Sequence, residues 1–542
     1  MSVPAPRGLR GAAYLFGFLA LIPIFAVTLA ALFGDFDTVR QLSKTVLWRY
    51  TWTTLMLAAL VGAGTAIIGT GAAWLVTMTE FRGRKWLEIA LALPFAFPAY
   101  VMAYAYTDIL DHPGIVQATL RELTGWGARD YWFPEIRSNG GAAVMLTLVL
   151  YPYVYLLARA AFLQQSATAY LAARSLGRTA WGAFRSTSLP LARPAIMGGM
   201  LLAIMETIAD YGTVSFFGVQ SFATGIYRAW AGMFDRGAAA QLALCLLAFA
   251  LFIALLERAQ RGGAKQYNTG HRKEALSRIP LKGWRSWGAT IACFLPVLLG
   301  FILPVIILGL MAMRSEQNLL SSRYLLFLQN SLTLATVASL ITVLGAVVIA
   351  VAFRMAPSRG TSSAGHVARV GYAVPGGVIA VGLMVPFAAL DNRIDAFFEG
   401  NFGIDTGLLF TGSIWVLVLA YMIRFTAAAL NTYEAGLTQL PPNLDSVART
   451  LGSRPTGLIR RLYLPALWPS VGTALLIVFV DVMKELPATL IMRPFNYDTL
   501  AIQAHRLASD ERLEGAAVPS LVLVAVGLLP VILLCRSLGR RR

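Results

Sequence analysis

Charged residues are scarce in this sequence. Only 13% of its 542 residues are Asp, Glu, Lys or Arg, whereas 57% are hydrophobic, and the mean hydropathy is +0.65. A soluble chain carries about a quarter charged residues, so this composition excludes a soluble multidomain protein. The charges lie between apolar runs of about twenty residues, long enough to cross the hydrocarbon core of a bilayer. Because lipid offers backbone groups no hydrogen-bond partners, these runs predict an all-α polytopic membrane protein.

Cysteines and catalytic motifs are also few. The three cysteines all lie in predicted spans, which argues against a disulfide framework. The dipeptide Gly-Lys never occurs, so the Walker A pattern GxxxxGK[ST] is absent. HExxH, paired-Cys and GxSxG motifs are absent too, and the four histidines are scattered. We therefore expect no enzymatic activity and no cofactor in this chain.

The apolar runs predict twelve transmembrane spans. The first follows Arg7 and Arg10, but its apolar run is too long for a cleaved signal peptide, so we expect an uncleaved anchor. The predicted spans are 12–33, 51–78, 87–110, 142–163, 194–217, 238–256, 288–312, 329–353, 367–390, 411–431, 466–490 and 516–535.

The net charge of +18 is distributed unevenly between the loops. With the N-terminus in the cytoplasm, the loops on that side hold 27 Lys and Arg, against 14 on the other side. This positive-inside bias predicts that both termini are cytoplasmic. It also favours a topological role for the basic residues over nucleic-acid binding.

The sequence contains an internal repeat. ARSLGRTAWGAFRSTSLP (173–190) and ARTLGSRPTGLIRRLYLP (448–465) lie 275 residues apart and share eight of eighteen positions. AFPAYVMA around Pro98 aligns with AVPGGVIA around Pro375 at an offset of 277. Each half holds six spans, so the halves enter the membrane the same way up and form a parallel repeat. The predicted domains are a first half at 1–256, a basic cytoplasmic linker at 257–287 and a second half at 288–542.

The two repeated segments, here called coupling segments, fall in cytoplasmic loops of this topology. Gly177 and Gly452 suit a tight turn between two short helices. Pro190 and Pro465 precede the next span, at a helix start where proline is tolerated. The pattern predicts a helix, a glycine turn and a second helix, a module that can dock into a partner's groove.

At these residues the chain resembles the membrane subunits of ABC importers. Their coupling loop carries Glu-Ala-Ala, three residues, Gly, and a later Leu-Pro; here Leu171 and Ser446 replace the Glu. The resemblance implies a type I ABC importer permease fold and loops of the EAA type that seat on an ATPase subunit. The repeated arginines would pair with acidic groups of the ATPase, or else are ordinary positive-inside charges. The candidate coupling residues are Ala173, Arg174, Gly177, Arg185, Leu189, Pro190, Ala448, Arg449, Gly452, Arg460, Leu464 and Pro465.

Three further stretches resemble the fused, two-half permeases of ferric iron importers. The resemblance implies a bacterial inner-membrane permease that works by alternating access. Its partners would be a homodimeric ATPase that binds ATP and Mg²⁺ inside, and a periplasmic or lipid-anchored Fe³⁺-binding protein outside. Importers of thiamine, polyamines and other small solutes share much of the pattern. A secondary transporter also fits twelve spans but does not explain the duplicated coupling segment. The stretches are 205–230, 481–501 and 508–517.

Four carboxylates in the predicted spans form two repeated pairs. Glu206 and Asp210, and likewise Asp481 and Glu485, are four residues apart and share a helix face. Like charges at this spacing repel, and carboxylates inside a membrane are costly. The quartet either lines or gates a translocation path, with transient contact to Fe³⁺, or is neutralised by Lys484 or Arg424. The path candidates are Glu206, Asp210, Tyr211, Asp481, Lys484 and Glu485.

Overall fold

A computed structural model describes most of the chain: residues 7–34, 36–165, 167–262, 278–317, 321–438, 440–441, 443–450, 453 and 455–540. This part is almost entirely helical and contains a single two-stranded parallel pairing, of Thr79–Glu80 with Ile279–Pro280. The α-helices are α1 (Arg7–Leu32), α2 (Phe36–Thr45), α3 (Leu47–Met78), α4 (Arg84–Ala90), α5 (Ala99–Leu110), α6 (Ile115–Thr124), α7 (Asn139–Gln164), α8 (Ala167–Ser175), α9 (Ala180–Ala183), α10 (Leu189–Ala209), α11 (Gly212–Phe216), α12 (Phe222–Tyr227), α13 (Arg236–Gly262), α14 (Trp284–Val297), α15 (Leu303–Arg314), α16 (Ser322–Met355), α17 (Arg359–Ala373), α18 (Gly376–Phe402), α19 (Ile414–Leu437), α20 (Asn443–Thr450), α21 (Pro455–Leu458), α22 (Leu464–Met483), α23 (Pro487–Met492), α24 (Leu500–Ser509) and α25 (Leu513–Arg540).

The predicted all-α polytopic architecture is confirmed. Among the described residues, eleven helical segments are long and apolar enough to cross a membrane. A further pair of helical segments, 84–96 and 99–124, is bent by 95° and gives a twelfth span if it is counted as one. The expectation of about twelve spans therefore agrees with the structure.

Two predicted spans differ from the observed helices at a proline. The third is interrupted before α5 and the ninth before α18, and Pro98 and Pro375 are the N-cap residues of these helices. Proline forces the preceding residue out of the helical region, and Phe97 and Val374 are extended accordingly. The helix predicted at 367–390 instead ends at Ala373, and its successor runs on to Phe402.

The chain divides into two compact units that do not follow the sequence halves. The first comprises Met1–Val46, Gly225–Ala248 and Asn318–Gln503. Its centre is formed by α16, α19 and α22, and α1 packs on α16, α17 and α18. The approach is close because Gly17 faces Ala364, whose Cα would lie 3.2 Å from a Cβ at position 17.

The second unit comprises Leu47–Thr224, Phe249–Gln317 and Ala504–Arg542. Its centre is formed by α3, α7 and α10, while α15 packs on α25 and α5. Gly69 lets α3 approach α7, since a Cβ there would lie 2.7 Å from the Val154 side chain. The predicted domain boundaries describe the sequence repeat and stay a prediction; of the linker, residues 263–277 lie outside the described residues.

Candidate functional site

The first coupling segment folds as predicted. Helix α8 ends in a turn at Gly177, whose φ of +82° lies in the left-handed region that glycine adopts without strain. The Gly177 N–H donates to the carbonyl oxygen of Arg174 (3.1 Å), and the Arg178 N–H donates to that of Ala173 (3.2 Å). These bonds satisfy the free carbonyls of the helix end. The α9 helix follows, so the helix, glycine turn and helix are confirmed here.

The second coupling segment repeats this turn. The Ser453 N–H donates to the carbonyl oxygen of Ala448 (3.0 Å), which is the Arg178–Ala173 bond displaced by 275 residues. The flanking helices are α20 and α21. Gly452 and the side chain of Arg449 lie outside the described residues.

Each coupling segment enters its span through a π-helical turn, a feature that we did not predict. The turns cover Phe184–Ser188 and Ile459–Tyr463, again 275 residues apart, and α10 and α22 follow directly. Pro190 and Pro465 occupy the first turns of these helices. A proline cannot donate to the carbonyl four residues earlier and crowds it, so a widened turn accommodates both effects.

The first segment is fastened to its own unit by aromatic packing. The ring of Phe184 lies 4.9 Å from that of Trp74, 5.2 Å from Trp181 and 6.1 Å from Phe162, measured between centroids. Such pairs contribute about 0.5–1.5 kcal/mol each beyond the area that they bury. Arg185 is exposed on the same turn.

The second segment is fastened to its own unit by charge. The Nε of Arg354 lies 3.0 Å from the Asp445 carboxylate, and both side chains are less than a fifth exposed. Arg354 also donates to the carbonyl oxygen of Leu437 (2.7 Å) and stacks its guanidinium 5.5 Å above the Tyr463 ring. Asp445 lies on α20, the helix that leads into the segment, and Tyr463 lies on the π turn near its end, so one arginine contacts the chain on both sides of the glycine turn.

Two of the four predicted acidic residues cap short helices. The Asp210 carboxylate accepts from the backbone N–H of Thr213 (3.0 Å) and Val214 (3.2 Å) and from the Thr213 hydroxyl (3.1 Å). It lies where the predicted fifth span breaks between α10 and α11. A carboxylate in this position satisfies N–H groups that have no partner within the helix.

Glu485 makes the equivalent cap one repeat later. Its carboxylate accepts from the N–H of Ala488 (2.9 Å) and Thr489 (3.1 Å) and from the Thr489 hydroxyl (2.7 Å). It lies at the break between α22 and α23 and is 6% exposed. A Cβ on Gly376 would be within 2.7 Å of both the Glu485 carboxylate and the Arg424 guanidinium, so these groups flank the same glycine.

The other two acidic residues lie one turn earlier on the spans. Asp481 pairs with Lys484 at 3.0 Å, with about a quarter of each side chain exposed, as the neutralised alternative requires. Glu206 lies in the last turn of α10 and is partly buried. The Asp481–Glu485 pair belongs to the first unit and the Glu206–Asp210 pair to the second.

A buried tyrosine–histidine cluster lies beside Asp210 in the second unit. The Tyr104 hydroxyl is 2.9 Å from Nδ1 of His505, and the Tyr211 ring is 5.8 Å from the imidazole. The Tyr100 ring lies 5.7 Å from that of Tyr104. No sequence signal joins Tyr104 to His505, which are 401 positions apart. Only Tyr211 was among the predicted site residues.

Comparison with known proteins identifies the class. The family model described as "Binding-protein-dependent transport system inner membrane component" matches residues 65–262. "Fe(3+)-transport system permease protein FbpB 2" of Haemophilus influenzae is 27% identical over 488 residues, 89% of this chain and 88% of that protein. "Probable ABC transporter permease protein y4fN" of Sinorhizobium fredii is 25% identical over 96% of this chain and 94% of its own length. The protein is an ABC importer permease.

The full-length matches also support the fused, two-half architecture of the permease. A third relative, "Putative ferric transport system permease protein FbpB 1" of Haemophilus influenzae, is 22% identical over 88% of this chain and 76% of its own length. These relatives are transport proteins, not enzymes. A multi-pass permease of this family implies the inner membrane, an ATPase subunit and a substrate-binding protein.

One surface cluster of the permease has a bidentate ion pair. Arg137 donates to both carboxylate oxygens of Glu511 (2.6 and 2.8 Å) and, through Nε, to Asp111 (3.0 Å). The hydrogen bonds from Arg137 hold the pKa of the Glu511 carboxyl below its ordinary value. Glu511 is more than half exposed, so this pair joins the loop before α7 to the turn before α25 without much stabilisation.

Glu485→Ala is expected to destabilise the permease by about 1–2 kcal/mol, because the N-terminus of α23 loses its capping carboxylate. Thermal unfolding of the purified protein measures this. Asp481→Ala is the matched control, since it removes a partly exposed carboxylate one turn away and should change stability by less than about 1 kcal/mol. Equal unfolding temperatures for the two variants would contradict the capping role.

Proposed function

We propose that this permease forms the alternating-access path of an ATP-driven importer of ferric iron, delivered by an extracytoplasmic binding protein. The assignment of ferric iron as the substrate depends on the match to an Fe³⁺-transport permease over 89% of the chain. ATP binding to the partner shifts the equilibrium between two states of the permease, so the chain needs no catalytic residue.

The proposed ATPase partner is a homodimer that carries ATP and Mg²⁺. Two coupling segments with the same turn and the same π-helical entry would offer one docking site to each of its subunits. This arrangement requires both segments in the cytoplasm, and hence both termini, in agreement with the positive-inside bias. The Glu that the family places before the loop is Leu171 or Ser446 here, so docking would depend on the turn and the basic residues.

The proposed translocation path passes the breaks in the fifth and eleventh spans. Irregular backbone at membrane depth is tolerated where it is buried in protein or lines a cavity, and both breaks are short and capped. Asp210 and Glu485 would shape these breaks, while Glu206, Tyr211, Asp481 and Lys484 would present polar groups to the passing ion. Carboxylate oxygens suit a hard cation such as Fe³⁺.

Uptake by proteoliposomes tests this function. Vesicles that contain the permease and its ATPase, supplied with the binding protein loaded with ⁵⁵Fe³⁺, are expected to accumulate iron only with ATP inside the compartment that the ATPase faces. Thiamine and putrescine with their own binding proteins serve as competing substrates. Accumulation driven by an ion gradient without the ATPase would instead identify a secondary transporter.

A further inference from the structure

The tyrosine–histidine cluster places several polar side chains in a buried part of the second unit. It consists of Tyr100, Tyr104, Tyr211 and His505. Tyr104 is 0% exposed and His505 is 7% exposed. Tyr211, whose ring lies 5.8 Å from the imidazole, directly follows Asp210 in the chain. Burying phenol and imidazole groups together costs free energy that apolar side chains would not. Such a cluster therefore calls for a reason beyond packing.

The sequence repeat shows that the fold does not need these phenols. In the other half, Gly377 and Val381 stand at the positions of Tyr100 and Tyr104, on the helix that also follows a proline N-cap. Leu486 stands at the position of Tyr211.

The backbone at these positions is the same in both halves. Tyr211 has φ −112° and ψ −42°, and Leu486 has φ −117° and ψ −51°, each as the N-cap of a short helix. Both halves of the repeat thus contain the break and its carboxylate cap, but only the first half has phenols at these positions.

The same comparison holds for the histidine. The Phe222 N–H lies 3.5 Å from the Thr54 hydroxyl, and the Leu500 N–H donates to the Ser331 hydroxyl (2.8 Å); these are equivalent contacts of the two halves. His505 follows Leu500 by five residues, and the residue five after Phe222 is Tyr227. The position equivalent to His505 in the other half therefore carries a tyrosine and no imidazole.

We propose that Tyr104, Tyr211 and His505 form a transient ferric-ion site along the path, an assignment that rests on the proposed function. Phenolate oxygens are hard donors that suit Fe³⁺, and imidazole nitrogen adds a borderline one. Neighbouring ligands of an octahedral ion with bonds of ~2.1 Å are about 3 Å apart, which matches the 2.9 Å between the Tyr104 oxygen and the His505 nitrogen.

Charge balance supports the same assignment. When Fe³⁺ enters, an Fe–O bond forms at each of two phenols as its O–H bond breaks, and the two protons pass to water; iron remains ferric. Two phenolates and the nearby Asp210 carboxylate then supply three negative charges against three positive ones. A divalent ion would leave this site with a net negative charge in a medium of low dielectric constant.

The test is spectroscopic. Fe(III)–nitrilotriacetate is added to the purified complex of permease and ATPase in lipid nanodiscs, and visible absorption is recorded. Wild type is expected to show a tyrosinate-to-Fe(III) charge-transfer band, and the two phenol protons pass to the hydroxide and nitrilotriacetate ligands that the iron loses. Tyr104→Phe and His505→Gln should each bind iron about tenfold more weakly and lower the band or shift it.

The matched control is Tyr106→Phe, on the same helix, whose hydroxyl donates to the Leu299 carbonyl (2.6 Å) away from the cluster; it should keep the band. Co-purification of the ATPase verifies the fold of each variant. A band unchanged in both Tyr104→Phe and His505→Gln, or no band in wild type that still takes up ⁵⁵Fe, overturns the site and leaves the importer. Failure of wild type to take up ⁵⁵Fe overturns the proposed function itself.

Discussion

Glu88→Ala is expected to prevent accumulation of the folded permease, because Glu88 is the shared carboxylate of two buried arginines. One of its oxygens lies 3.1 Å from Arg84 and the other accepts from Arg159. The Arg84 and Arg159 side chains are 1% and 5% exposed. Removing one member of a buried ion pair costs about 3–5 kcal/mol, since the remaining charge cannot reach water. That is a large part of a typical stability of about 5–15 kcal/mol.

The measurement is the yield and unfolding temperature of the purified variant. Glu80→Ala is the matched control, since Glu80 also pairs with Arg84 (3.0 Å) but is about half exposed. It should cost less than about 1 kcal/mol. If the two variants were equally stable, the buried network around Glu88 would not stabilise the second unit as we infer.

The Glu88 network shows why part of the fold could be predicted and part could not. Spans follow from local composition, and the turn at Gly177 follows from a glycine at a helix end, so both were predictable. Arg159 could be recognised as a charge within a span, but its partner lies 71 residues away. Pairing across such distances depends on helix packing, which a single sequence does not encode locally.

The breaks in the spans could be predicted in part. Pro98 and Pro375 carried a signal for their breaks, since proline excludes the preceding residue from a helix. Asp210 and Glu485 each precede a threonine or small residue at capping distance. Each also lies four residues after another acidic residue, a spacing that on an ideal helix suggested a path-facing pair. The capping bonds form only because the helix ends there, and apolar runs conceal such an ending.

Arg354→Gln is expected to uncouple ATP hydrolysis from uptake, because Arg354 joins the chain on both sides of the second glycine turn to α16. The substitution replaces an ion pair, a charge-assisted hydrogen bond and a cation–π contact by whatever a neutral amide can form. Losing about 3 kcal/mol of this anchoring lowers the equilibrium constant between the anchored and the released segment by about a hundredfold. The first segment, in which Phe184 packs on Trp74 and Phe162, keeps the ATPase bound. Uptake should therefore fall at least tenfold while ATP hydrolysis continues.

The decisive quantity is iron transported per ATP hydrolysed, which a merely less stable protein would not change. Arg359→Gln, an exposed arginine five residues further on, is the control and should leave this ratio unaltered. Exchanging the charges, Arg354→Asp with Asp445→Arg, should restore part of the ratio if the ion pair positions the segment. Raising the salt concentration should lower the amount of iron transported per ATP by the wild type only slightly. The Arg354–Asp445 side chains are less than a fifth exposed, so salt screens this ion pair little. A wild-type ratio in Arg354→Gln would show that the segment transmits ATPase motion without this anchor.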